Sequence, residues 1–154
     1  MSVPSPIITY RHGYGFGLPP DRLWQQLEQV DQFERWWPWL TDFEIDAGGL
    51  STGSVLRGVV NPPLPYRMRL RIEVVECERP HAVTATIGGD LVGDSQLRFR
   101  PDGEGTWVDA AWTVEMRQPA MRLASRVGRP LLQWGHDRVV EMTVAGFRRR
   151  IESL

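Results

Sequence analysis

The sequence has no lysine, a single cysteine and no long apolar run, and each absence excludes a class of protein. All 18 basic residues are arginine and the formal net charge is −1, so no net basic surface is available for a phosphate backbone. We therefore expect no nucleic-acid partner, and we interpret the missing lysine as genomic compositional bias. No stretch approaches the ~20 apolar residues of a membrane span.

The amino-terminal stretch MSVPSPIITY has neither the basic segment nor the apolar segment of a signal peptide, so we expect a cytoplasmic protein. The lone Cys77 excludes an intrachain disulfide and a cysteine-based metal site. Glu76 and Glu78 flank it and disfavour a thiolate, which predicts a half-buried structural thiol. The three histidines have no metal-binding spacing, and we expect neither a metal nor another cofactor.

The length and composition predict one globular domain, which we assign to residues 1–154. Apolar residues make up 42% and charged residues 24%, which is close to the average for globular proteins and argues against disorder. A chain of this length buries roughly 70% of its unfolded surface, enough for one core.

The first apolar segment, IITYRHGYGFGL, predicts a strand with one bulky face. Glycines at positions 13, 15 and 17 alternate with the bulky residues. A dinucleotide loop needs its glycines in the turn between a strand and a helix, and at another spacing, so we interpret these as strand glycines. The large side chains of the bulky face are Ile8, Tyr10, His12, Tyr14 and Phe16.

A run of further strands is predicted between Phe43 and Met116, each bounded by a turn sequence. In YRMRLRIEV the apolar Met68 and Leu70 alternate with arginines, and Trp112 belongs to the apolar set of TWVDAAWTVEM. Such alternation is typical of an antiparallel sheet that is covered on one side only.

Three predicted helices can cover the apolar face of this sheet. Two short ones are predicted after the first strand, in DRLWQQLEQV and in the residues before Pro38, which ends the second. A long one is predicted from Pro130 to Leu154, with His136 near the centre of its apolar face. The arrangement is of the α+β class. The apolar face of the long helix comprises Leu132, Val139, Val140, Thr143, Val144, Phe147 and Ile151.

The order of these elements resembles the helix-grip fold of the START and birch-pollen-allergen superfamily, and within it the polyketide cyclase/dehydrase and lipid-transport group. In that fold a curved antiparallel sheet of about seven strands wraps around a long C-terminal helix, with two short helices after the first strand. The resemblance covers nearly the whole chain, and its motifs are structural more than catalytic. They are Trp24 with Leu27, RWWP at 35–38, GDLVG at 89–93, GEGTWV at 103–108 and RPLLQWGHD at 129–137.

The resemblance implies an enclosed cavity between sheet and helix that takes an apolar, ring-containing small molecule or lipid. It also offers a reason why QFERWWPWL places three tryptophans around a proline: Trp36, Trp37 and Trp39 either line or gate the cavity mouth, or plug one end of the sheet. The expected ligand-binding residues are Tyr10, His12, Tyr14, Arg35, Trp36, Trp37, Met68, Leu70, Trp112, Leu132, His136, Val140 and Phe147.

We expect a carrier or sensor, as a monomer or homodimer. One alternative is a cofactor-independent cyclase or dehydratase, with His136, His12 or Tyr14 as acid and base, although no residue is assigned as catalytic. Another is a protein-interaction module that uses the tryptophan-rich edge. Arg35, at the expected mouth, either pairs locally or meets a ligand carboxylate.

Overall fold

The structure is a computed structural model that describes residues 7–46, 49–117 and 119–154, with the side chains at 119–129 outside the description. Residues 1–6, on which the expectation of no signal peptide partly rests, also lie outside the described residues. Within these ranges the chain forms seven strands and three α-helices. In order they are β1 (Ile7–Phe16), α1 (Pro20–Leu27), a 3₁₀ turn (Val30–Gln32), α2 (Phe33–Trp36), β2 (Leu40–Ile45), β3 (Val55–Val60), β4 (Met68–Glu78), β5 (Ala82–Gly89), β6 (Leu91–Asp102), β7 (Gly105–Met116) and α3 (Pro119–Glu152).

The strands form one curved antiparallel sheet in the order β1-β7-β6-β5-β4-β3-β2. Only β1 is out of sequence order, because α1 and α2 follow it and the chain returns to it through β7. One face of the sheet carries the apolar alternate residues and packs against α3. The prediction of an α+β helix-grip fold is confirmed.

The long helix begins earlier than the sequence predicts. Pro130 lies inside α3, which runs from Pro119, so the predicted start at Pro130 is wrong. A proline inside a helix removes one backbone hydrogen bond without necessarily ending the helix. Pro119 occupies the first position, where a proline loses no hydrogen bond.

Buried residues of the described part form two clusters. At one end, α1 and α2 close the sheet, with Leu23 and Trp24 fully buried against Phe99 and Val108. At the other end, Leu132 of α3 packs with residues of β1, β3, β4 and β7. The space between the two clusters is the candidate site.

The glycines of β1 have a structural role, as the sequence indicated. Gly15 lies opposite Trp107 of β7, and a side-chain carbon at Gly13 would collide with the Trp107 indole. The tryptophan therefore covers this part of β1 on the face away from α3.

Candidate functional site

A cavity of about 420 Å³ lies between the concave face of the sheet and α3. The walls come from residues of β1 and of β3 to β7, from the end of α1, from the α2–β2 and β3–β4 connections, and from α3. No charged residue is among the described residues that line it. The lining is formed by Ile8, Tyr14, Phe16, Leu27, Trp37, Trp39, Val60, Pro62, Tyr66, Met68, Leu70, Ile72, Ile87, Leu91, Ser95, Leu97, Phe99, Val108, Ala110, Trp112, Val114, Met116, Leu132, Gly135, His136, Val139, Val140, Thr143, Val144 and Phe147.

The tryptophans around Pro38 divide between the two expected roles. Trp36 is 9% exposed and packs on Phe147 with ring centroids 5.7 Å apart, so it plugs the end of the sheet and does not line the cavity. Trp37 lines the cavity, and its Nε1 donates a hydrogen bond of 2.8 Å to the carbonyl oxygen of Thr143. Trp39 stacks on Trp37 at 5.7 Å and lines the cavity too. The expectation that Trp36 faces the ligand is therefore wrong.

His136 lies on the helix side of the cavity. The Nε1 of Trp112 donates a 2.9 Å hydrogen bond to Nε2 of His136, and Nδ1 of His136 lies 3.0 Å from Oδ1 of Asp137. An indole N–H can only donate, so Nε2 is the unprotonated nitrogen and Nδ1–H donates to the carboxylate. Both ring nitrogens of the neutral histidine are thus engaged by the protein.

The carboxylate of Asp137 completes this chain of hydrogen bonds. Partial burial raises the pKa of Asp137. Hydrogen bonds from His136 and Gln133 lower it by more, so the net pKa is below the ordinary value. The ionised carboxylate of Asp137 therefore accepts the hydrogen bond from Nδ1–H and fixes the orientation of the His136 ring.

The aromatic face of β1 lies at the edge of the sheet. Tyr14 lines the cavity, and its hydroxyl is hydrogen-bonded to that of Tyr10. Tyr10 does not line the cavity, contrary to expectation, and its ring stacks on Trp112 at 4.4 Å. Burial, the bond to Tyr14 and the nearby charge of Asp137 raise the pKa of Tyr10.

His12 is exposed, and the expectation that it faces the cavity is wrong. Its ring stacks on Tyr14 at 4.6 Å, and its Nδ1 lies 2.7 Å from the carbonyl oxygen of Gly13. β1 is an edge strand, so solvent reaches His12 although the alternation puts its side chain on the inner face.

Arg35 is also outside the cavity, and its expected place at the mouth is wrong. Phe33 and Trp36 are the buried residues of α2, which turns Arg35 to solvent. Its Nη1 lies 3.5 Å from Oε1 of Gln32.

The other predicted residues, Met68, Leu70, Leu132, Val140 and Phe147, are on the cavity wall. Tyr66 and Ser95 line it as well and were not predicted, and Trp39 was predicted only as part of the tryptophan cluster at the mouth. Tyr66 could have been found by extending the alternation of Met68 and Leu70 back by two residues. Ser95 breaks the apolar pattern of β6, and Trp39 belongs to the same tryptophan motif.

Cys77 is half-buried, as predicted. Burial and the charge of Glu28 raise the pKa of the thiol, while Arg79 lowers it. Cys77 is not among the described residues that line the cavity. Among the described residues, no three metal-ligating side chains converge.

A second, open depression of about 750 Å³ lies on the outer surface beside the β3–β4 connection. Arg69, Asp42 and Asp90 line it, together with Pro62 and Tyr66, which also border the cavity. Its lining is charged and polar, which does not suit an apolar ligand.

A sequence model of the family described as polyketide cyclase / dehydrase and lipid transport matches residues 16–152. No curated protein sequence matches the chain. A solved structure of a protein from Thermus thermophilus is similar at 20% identity and TM-score 0.76, covering 95% of this chain and 98% of that one.

Two further structures share the fold. A START superfamily protein from Mycobacterium smegmatis is 15% identical, with TM-score 0.72 and coverage of 94% and 97%. Norcoclaurine synthase from Thalictrum flavum, in complex with dopamine and hydroxybenzaldehyde, is 13% identical, with TM-score 0.63 and coverage of 97% and 88%. From its motifs and the match over residues 16–152, this chain belongs to the family described as polyketide cyclase / dehydrase and lipid transport, and it shares its helix-grip fold with these solved structures.

Proposed function

We propose that the chain, as one domain spanning 1–154, binds a hydrophobic, ring-containing small molecule in the cavity and acts as a carrier or sensor. The observation that carries the proposal is the cavity itself. Its volume of about 420 Å³ suits a small molecule, and the flat faces of Trp37, Trp39 and Trp112 suit a ring.

The bonding of His136 favours binding over catalysis. A general base needs a free lone pair within reach of the substrate proton, and the lone pair of Nε2 is occupied by the Trp112 N–H. His12, the other candidate base, is exposed and outside the cavity. The cyclase or dehydratase alternative is left with Tyr14, whose hydroxyl is bonded to Tyr10.

The protein-interaction alternative needs tryptophans that project from the surface. Trp36 and Trp37 are each 9% exposed, and Trp39 is only partly exposed. Little of this cluster is available to a partner, which favours the small-molecule proposal.

The comparisons support the proposal at the level of family and fold. The family description includes lipid transport, and the structure of norcoclaurine synthase contains two ring compounds, dopamine and hydroxybenzaldehyde. We propose a cytoplasmic monomer or homodimer without a nucleic-acid partner. Within the described ranges, no helix has the length and apolar character needed to cross a bilayer.

Titration with Nile red, a neutral apolar dye, tests the proposal. We expect one dye per chain, a blue-shifted dye emission and a change in tryptophan fluorescence. Val140→Phe fills part of the cavity and should abolish binding, whereas Val75→Phe, at a position 52% exposed on β4, should bind like the wild type. Equal binding by both variants would place the dye outside the cavity and contradict the proposal.

A further inference from the structure

Most polar groups on the cavity wall already have protein partners. The Nε1 atoms of Trp37 and Trp112 donate to Thr143 and His136, and Nδ1 of His136 bonds to Asp137. The Thr143 hydroxyl donates to the carbonyl oxygen of Val139 at 2.7 Å. A ligand is not needed to satisfy any of these groups.

Three groups differ from this pattern. The hydroxyls of Ser95 and Tyr66 and the Nε1 of Trp39 belong to residues that line the cavity, and none of them has a hydrogen-bond partner in the described part of the chain. The Nε1 of Trp39 is fully buried within the wall, so the two hydroxyls are the groups open to a ligand. Ser95 lies directly opposite Trp112 on the neighbouring strand, so both side chains are on the concave face. An apolar ligand packed against such a hydroxyl would leave it unpaired, which weakens binding.

Tyr66 faces α3 from the β3–β4 connection. Its hydroxyl oxygen would lie 3.4 Å from a side-chain carbon built at Gly135, the neighbour of His136. Burial raises the pKa of Tyr66, which keeps the phenol neutral. A neutral hydroxyl can both donate and accept a hydrogen bond.

The cavity wall has no charged side chain, among the described residues, that could pair with an ionised ligand. No arginine, aspartate or glutamate is among the described residues that line the cavity. An ionised carboxylate would lose its hydration there without gaining a counter-charge, which strongly disfavours it.

We propose that the cavity selects an uncharged ring compound that carries a hydrogen-bonding oxygen, and that Ser95 and Tyr66 receive this oxygen. The inference rests on the proposed function and narrows the ligand class. It makes Ser95 and Tyr66 specificity-determining residues, and it excludes an acidic ligand, which was one of the two alternatives for Arg35.

Four probes with one ring system separate the possibilities: fluorene, 9-fluorenone, fluorene-9-carboxylate and its methyl ester. Binding is measured by equilibrium dialysis at pH 7 after the protein has been stripped of lipid. In the wild type, we expect fluorenone to bind more tightly than fluorene, and the ester more tightly than the carboxylate. The loss of one hydrogen bond in Ser95→Ala or Tyr66→Phe should weaken fluorenone about fivefold.

The same variants should bind fluorene as tightly as the wild type or more tightly, because a stranded hydroxyl has been removed. Thr113→Val, which removes an exposed hydroxyl on β7, is the matched control and should change neither affinity. If fluorene binds but fluorenone is no tighter and is unaffected by both variants, or if the carboxylate equals its ester, this inference is overturned while the proposed function stands. If none of the four probes binds, both fail. The wild-type comparison holds even if a variant does not fold.

Discussion

The Nε1 of Trp112 and the Nε2 of His136 are 2.9 Å apart, and the hydrogen bond between them joins β7 to α3 across the cavity. It orients a cavity-lining indole and fixes the tautomer of the histidine. His136 therefore has a structural role through this bond and also lines the cavity.

Replacement of His136 tests that structural role. His136→Leu leaves the Trp112 N–H without its acceptor, so we expect a loss of roughly 1–3 kcal/mol in the free energy of unfolding. Urea denaturation measures it. In the double variant Trp112→Phe/His136→Leu, the loss should be smaller than the sum of the two single losses. An unchanged or raised melting temperature for His136→Leu would show that the bond does not stabilise the fold.

The tautomer of His136 is directly observable. Long-range ¹H–¹⁵N NMR spectra at neutral pH should show the proton on Nδ1. In His136→Leu the indole N–H resonance of Trp112 should shift, because its acceptor has been removed. A proton on Nε2 at neutral pH would refute the hydrogen-bond chain.

Asp137 predicts a dependence of stability on acidic pH. Its folded-state pKa is lower than the ordinary value of 3.8, so its contribution to stability is complete above about pH 4 and is lost as the pH falls through the folded-state value. The effect is expected to be small because the side chain is 48% exposed. Asp137→Asn should flatten the acid limb of the stability curve, and an acid limb identical to that of the wild type would contradict the assignment.

The contact between α2 and α3 depends on Gly146. A side-chain carbon there would collide with the carbonyl oxygen of Trp36 and lie 3.0 Å from the Trp37 ring. Gly146→Ala should therefore cost about 1–3 kcal/mol, despite the higher helix propensity of alanine. Gly17→Ala is the control, since nothing lies within 4 Å of the added carbon. Thermal denaturation should separate the two variants, and equal melting temperatures would show that the helices can move apart freely.

The fold could be predicted from the sequence because its strands alternate so regularly. Met68 and Leu70 face inward as their period of two requires, and Leu132, Val140 and Phe147 are on the inner side of α3 as their helical spacing requires. The resemblance to the family implied the arrangement of the sheet and the presence of a cavity.

The site was less predictable, because the alternation of apolar and polar residues predicts which face of the sheet a side chain is on but not how deeply it is buried. His12 shares the inner face of β1 with Tyr14, yet its place on an edge strand leaves it exposed. Tyr10 faces inward but stacks on Trp112 and does not line the cavity. Trp36 is the last residue of α2, whereas Trp37 follows the helix with an extended backbone. Such differences depend on contacts between residues far apart in the chain, as between Trp36 and Phe147.

A crystal structure of the protein with bound 9-fluorenone would locate the ligand. We expect the ring system between the sheet and α3, in contact with Trp112, with its oxygen within hydrogen-bond distance of the Ser95 or Tyr66 hydroxyl. Fluorenone bound on the outer surface, in crystals whose cavity contains none, would contradict this expectation.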